Sequence, residues 1–255
     1  MHEKFSLDIE TRQHVTLLVE QIERKLAKNE TEEAEKIARA ILEVFVQENF
    51  RQLPDVSHEV ANEQVQQFRL FTSFKELFDF VEEKNGAQTA SAKFRIALAS
   101  TNGGLSSMVT DVSTKRKIPV VLSSHNALHR FRHDLSAVGL FRSRGEVLIE
   151  ELKHAADKIC GMINPVDMKS AKLITKLLYA NQAITMWSYT ALKSPELAIS
   201  PDSPIAWGLF ASSLITSGLL IRRYSQVPHE ERARLLAKEV ARVPFADKIK
   251  KFITK

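Results

Sequence analysis

The sequence predicts a mostly α-helical protein, a multi-helix bundle of antiparallel hairpins, with a small βαβ element near 94–122 as the alternative to helix there. Three observations carry this. Apolar residues recur at three- and four-residue spacing along most of the chain. Residues that cap helices stand just ahead of those runs. Only eight glycines and eight prolines interrupt 255 residues, too few for a loop-rich or disordered chain.

The elements follow in order. Val15, Leu18, Val19, Ile22 and Leu26 share one helical face over 12–28, with Glu20, Glu23, Arg24 and Lys25 opposite. Asn29 is expected to cap the next helix, with Glu32 reaching back to complete a capping box. That helix carries Ile37, Ile41, Val44 and Phe45 to Phe50 and stops near Pro54. The short link makes the two an antiparallel hairpin. Ser57 is expected to cap a helix through Val60, Val65, Phe68 and Phe71. Ser73 caps another, through Phe74, Leu77, Phe78 and Val81 to a stop at Asn85-Gly86.

Two readings compete over 88–117. The favoured one is helical, 90–100 and then 105–114, with a break at Asn102-Gly103-Gly104. The other is a βαβ unit with strands at 94–99 and 118–122. Ala and Ser outnumber β-branched residues in the first run, which favours helix. Ser124 is expected to cap a helix through Leu128, Phe131, Leu135 and Val138. Ser143, with Glu146 behind it, caps one through Val147, Leu148, Leu152 and Ile159 to Gly161. Pro165 separates this from a long helix over 168–192. After a proline-punctuated loop come eighteen uncharged residues, 204–221, read as a buried helix. Two amphipathic helices over 228–243 and 244–253 close the chain.

Charge divides the chain into two regions. Residues 1–89 hold 11 Lys/Arg against 18 Asp/Glu, a net of −7. Residues 90–255 hold 25 against 13, a net of +12. The expected organisation is therefore an acidic N-terminal helical region, 1–89, and a basic C-terminal helical region, 90–255, built around the apolar helix 204–221. Such asymmetry suggests a polyanionic partner for the basic part.

The motifs argue against chemistry. The single cysteine, Cys160, excludes an intramolecular disulfide and a cysteine-cluster zinc site, and reads as a buried hydrophobe. His125, His129 and His133 fall at i, i+4 and i+8, but three imidazoles in line do not converge on one ion. Asn126 stands where H-E-x-x-H requires Glu, so no metal site is expected. The run STNGG at 100–104 lacks the lysine and spacing of a phosphate loop. Glu150 and Glu151, near His154, read as helix-surface residues. No constellation commits the chain to a reaction, so the expectation is a non-enzyme, without catalytic residues or cofactor.

The leading expectation is a helical binding protein that takes RNA or DNA on its basic surface. Lys115, Arg116, Lys117, Arg130, Arg132, Arg142 and Arg144 are the candidate phosphate contacts, because such cations release counterions from nucleic acid. Phe131 and Phe141 beside them suit base stacking. The acidic helices of 1–89 would meet a protein partner or a second copy. One alternative is a protein–protein adaptor or structural subunit without nucleic acid. Another is membrane association through 204–221, which sits at the lower edge of bilayer-spanning length and is followed by Arg222, Arg223 and Tyr224. The opening MHEKFSLDIE shows no apolar signal region, so an intracellular, cytoplasmic protein is expected.

Overall fold

The computed structural model describes residues 7–51, 56–86, 104–123, 144–163, 165–193, 204–224 and 226–240. Among these are eight helices and a three-stranded mixed sheet. In order they are α1 (Ile9–Ala27), α2 (Thr31–Phe50), α3 (His58–Gln66), β1 (Arg69–Phe71), α4 (Phe74–Asn85), β2 (Gly104–Thr110), β3 (Lys117–Ser123), α5 (Arg144–Ile159), α6 (Pro165–Lys193), α7 (Pro204–Tyr224) and α8 (Pro228–Val240). The mostly helical class holds. The chain forms two compact units, Met1–Met162 with Arg232–Lys255, and Ile163–Glu231. The charge division at residue 89 is not a division of the fold, since β1 on its acidic side pairs with β3 on its basic side.

In the first unit, α1 starts at Ile9 because Asp8 caps it, its carboxylate accepting from the Thr11 N–H at 2.8 Å. The turn into α2 differs from the expected capping box. Glu30 is the N-cap and makes no side-chain cap bond, while Asn29 adopts a left-handed φ of 61°. Asn tolerates that conformation, and the Glu30 carboxylate is held instead by the Lys25 ammonium at 2.5 Å. The hairpin itself forms as expected. Val15, Val19, Ile22 and Leu26 of α1 join Ala34, Ala38, Ile41, Leu42 and Phe45 of α2 in the main core.

The helix expected through Phe68 and Phe71 ends at Gln66, although Ser57 caps its start as predicted. Arg69–Phe71 is a strand. Parallel pairing with Val120–Leu122 of β3 takes up its backbone groups on one side. The Leu70 N–H is bonded to the Glu35 carboxylate at 2.9 Å. The favoured helix over 105–114 is also overturned, because Gly104–Thr110 pairs antiparallel with Lys117–Ser123 along its whole length. The alternative strand at 118–122 is present as β3. Pro119 is tolerated in this central strand because the β1 pairing begins one residue later, at Val120. The expected segments 90–100, 94–99 and the helix from Ser124 to 138 lie outside the described residues, as does 244–253.

The sheet separates two apolar layers by its two-residue alternation. Leu70 and Val121 face the main core, with Leu148, Ile149, Leu152, Ala155 and Ile159 of α5. Phe71, Val120 and Leu122 face the other way and meet Val109 with Leu77 and Val81 of α4. Ser73 caps α4, and Gly86 ends it with a φ of 73°, both as predicted. At the chain's other end, Leu236, Ala237 and Val240 of α8 enter the main core. There Thr16 donates to the Val240 carbonyl at 2.8 Å and Arg12 pairs with Glu239 at 3.4 Å.

The second unit is a long hairpin of α6 and α7. Its seam is polar. Asn181 Nδ2 donates to the Ser213 carbonyl and to Ser217 Oγ, each at 2.7 Å, and Thr185 Oγ1 lies 2.9 Å from Ser213 Oγ. The burial expected for 204–221 is not met. Ile205 is 75% exposed and Ile215 66%, with Leu209, Leu214 and Leu219 also exposed. Ser213 and Ser217 pack on the α6 side with half-buried Phe210 and Leu220, while most of the run's large side chains lie outside. Among the described residues no helix is long and apolar enough to cross a membrane.

Candidate functional site

An open groove of about 1070 Å³ runs over the first three helices. Successive turns of α1 bring Glu10, Gln13, His14 and Leu17 to it. Ala40, Glu43, Val44, Gln47 and Glu48 come from α2, and Asn62, Val65 and Gln66 from α3. The spacing of three and four residues that buries Val15, Val19 and Ile22 turns the neighbouring positions of α1 to this side. Leu17, 58% exposed, and half-buried Val44 supply apolar contact surface above buried Val65. Glu10, Glu43 and Glu48 supply carboxylates, and among the described residues no Lys or Arg lines the groove. Gln66 Nε2 donates to Glu43 at 3.3 Å, and Arg51, outside the lining, pairs with Glu48 at 2.9 Å.

A second polar constellation is sealed in the core of the same unit. Lys153 is 2% exposed, Asp157 1% and Asn49 1%. The Lys153 ammonium donates to Asp157 Oδ1 and, at 3.0 Å, to Asn49 Oδ1, while Asn49 Nδ2 donates to Asp157 Oδ1 at 3.0 Å. Burial pushes the Lys153 pKa down against the pull of Asp157, and Arg232 adds to the depression. Cys160, just beyond the end of α5, is buried as expected, and burial pushes its thiol up to about 11. Glu150 and His154 are buried too, so the surface placement expected for Glu150 is corrected. Helix α5 is enclosed around most of its circumference, and Glu150, Lys153 and Asp157 are enclosed with it.

The candidate phosphate contacts separate into groups. Lys115, Arg116 and Lys117 lie at the β2–β3 turn, all exposed, with Lys115 at a φ of 58°. Arg116 pairs with Glu63 at 3.0 Å. Arg144 bonds Ser123 at the far end of β3, six residues beyond Lys117 and so roughly 20 Å away along an extended strand. Its guanidinium is partly buried and donates to Ser123 Oγ at 3.3 Å and to the Ser123 carbonyl at 3.2 Å. Burial lowers its pKa, opposed by Glu23. The structure thus gathers Lys115–Lys117 but does not bring Arg144 to them. Arg130, Arg132 and Arg142 lie outside the described residues, as do His125, His129 and His133.

Sequence reasoning did not single out the groove or the Asn49–Lys153–Asp157 cluster. A signal for the cluster existed. Lys153 and Asp157 stand at i and i+4 in a run with Leu148, Ile149, Leu152, Ala155, Ala156 and Ile159 around them, leaving little of the helix surface free to meet solvent. The groove depends on how three helices meet, which no single periodicity carries.

Fold and groove together define a helical body with a carboxylate-edged surface channel. Compared with protein-family models, curated proteins and solved structures, the chain matches none.

Proposed function

We propose that this chain is a protein-binding adaptor whose α1–α3 groove receives an amphipathic helix carrying Lys or Arg along its polar edges. One observation carries the reading: the groove combines an apolar strip, Leu17 and Val44, with Glu10, Glu43 and Glu48, and no Lys or Arg is among its described lining residues. An amphipathic helix docks by laying its apolar face into such a strip. Carboxylates at the edge favour a basic partner and repel an acidic one, setting specificity and encounter rate.

The test is fluorescence anisotropy with a synthetic fourteen-residue Leu/Lys amphipathic peptide and its Leu/Glu counterpart. The Leu/Lys peptide is expected to bind and the Leu/Glu peptide to fail. Glu43→Lys and Leu17→Asp should each weaken binding at least tenfold, about 1.4 kcal/mol. Binding unchanged in both variants refutes the reading. Nucleic-acid binding is the second reading, supported by the three consecutive exposed cations at the β2–β3 turn. Single-stranded RNA affinity that falls steeply with salt and disappears in Lys115→Ala/Lys117→Ala would favour it.

A further inference from the structure

The residues that follow α8 meet the description of the groove's partner, and they leave the fold beside the groove. Helix α8 ends at Val240, fixed to α1, which forms one wall of the groove. Glu239 pairs with Arg12 at 3.4 Å, and the Val240 carbonyl accepts from Thr16 Oγ1 at 2.8 Å. Thr16 immediately precedes Leu17, a lining residue, and lies about 100° around the helix from it. Residues 241–243 reach roughly 10 Å when extended, about the diameter of one helix with its side chains. The chain can therefore cross α1 and enter the groove at Pro244, a residue that suits the first position of a helix.

The segment 244–255 matches the groove in pattern, charge and length. At helical spacing Phe245, Ile249 and Phe252 share one face, with Lys248, Lys251 and Lys255 along one edge and Lys250 along the other. Residues 241–255 hold five Lys/Arg against one Asp, a net of +4. The groove presents the complement, Leu17 and Val44 with the exposed carboxylates Glu10 and Glu43. From Glu10 to Leu17, α1 lines it over about 10 Å, and Phe245 to Phe252 covers the same rise as a helix.

We propose that residues 241–255 cross α1 and occupy the α1–α3 groove of their own chain, screening it until a basic amphipathic helix displaces them, a regulation that rests on the groove being the partner's site. Attachment favours this occupant over a free one. A short link holds the segment at an effective concentration on the order of 1 mM. With a dissociation constant of about 0.1 mM it covers the groove about nine-tenths of the time. A competing peptide then shows an apparent dissociation constant about tenfold higher than its intrinsic one.

Anisotropy with the Leu/Lys peptide compares the full chain with two full-length variants, Phe245→Asp/Ile249→Asp and Lys248→Glu/Lys251→Glu. Each variant is expected to bind the peptide about tenfold more tightly than the wild type. Zero-length carbodiimide coupling of the unaltered chain needs no substitution. Mapped by mass spectrometry on the monomer band, it should join lysines of 248–255 to Glu10 or Glu43, and saturating Leu/Lys peptide should abolish these links. Peptide binding no tighter in either variant overturns the proposal. So does a monomer band without the links, including the case in which they join two copies and the occupant is the segment of a second chain. Failure of the groove reading looks different: the peptide then binds neither the wild type nor the variants, whereas equal binding to all three keeps the groove and removes only its own-chain occupant.

Discussion

Replacing Lys153 with Met is expected to destabilise the first unit by about 3–5 kcal/mol, the cost of leaving a buried charge without its counterion. The magnitude follows from the site. Lys153 and Asp157 are 2% and 1% exposed, and without the ammonium the Asp157 carboxylate keeps only the Asn49 amide at 3.0 Å among the bonds described. Asp157→Leu leaves the converse, a buried ammonium facing the Asn49 carbonyl oxygen. The double variant Lys153→Met/Asp157→Leu removes both charges, and replacing a buried pair by apolar groups of similar volume is commonly neutral or stabilising by about 1–4 kcal/mol. It should therefore lie near the wild type, at least about 3 kcal/mol above either single variant, a strong departure from additivity between contacting residues. Cys160 supplies the assay. It is the chain's one thiol, it is buried, and it directly follows the same helix. Its modification by a thiol reagent in native buffer reports opening of the first unit. At about 1.4 kcal/mol per tenfold, either single variant should label roughly a hundred- to several-thousand-fold faster. Labelling of Lys153→Met at the wild-type rate, or single-variant losses that simply add in the double, would refute the reasoning.

The same lysine sets a pH dependence. Its folded pKa is depressed, so between that value and about 10.4 the unfolded chain binds the extra proton, and stability should rise with pH. Denaturant midpoints taken across that window should climb in the wild type and lose this component in the double variant. Gly104→Ala is expected to cost about 1–3 kcal/mol, because the added Cβ would lie 2.5 Å from Val147 Cγ1 and 2.8 Å from Glu151 Cγ. Thermal unfolding followed by circular dichroism measures it, and an unchanged midpoint contradicts it. Ser73→Ala removes the acceptor that holds the Lys75 N–H at 3.2 Å and should cost about 1 kcal/mol, read from urea unfolding. Gly86→Ala meets no neighbour but must adopt a φ of 73°, so it should lower stability by about 1 kcal/mol through backbone strain alone. The same urea titration decides it.

Local signals read well where local physics decides. The α1–α2 hairpin, the Ser57 and Ser73 caps and the Gly86 stop are each written in a few adjacent residues, and all are present. The sheet was only half legible. Arg69–Phe71 is too short to show an alternation, and 104–110 mixes Ser, Met and Val without a clear period. Both are strands because β3 lies between them and takes their backbone bonds, which is a property of distant partners. The composition of the apolar run 204–221 points to core. Its pairing with α6 turns on Asn181, Thr185 and Ser213, whose hydrogen bonds draw the polar side inward. For the candidate site, carboxylates in 1–89 were visible as a net charge, whereas their assembly along a groove required the packing of three helices. The cations of 115–117 were contiguous in sequence and remain so in space, but the separation of Arg144 from them reflects the length of β3.

The return of α8 to the first helix has a consequence for synthesis. Leu236, Ala237 and Val240 complete a core begun more than two hundred residues earlier, with Thr16 bonded to the Val240 carbonyl. Residues 163–231 are thus an insertion into a body made from two separate stretches of chain. A ribosome delivers the opening helices first, and domains tend to fold as units in that order. Here the α1–α2 part must wait, its apolar seam uncapped, until the inserted hairpin and α8 have emerged. Any truncation ahead of residue 232 leaves that seam open.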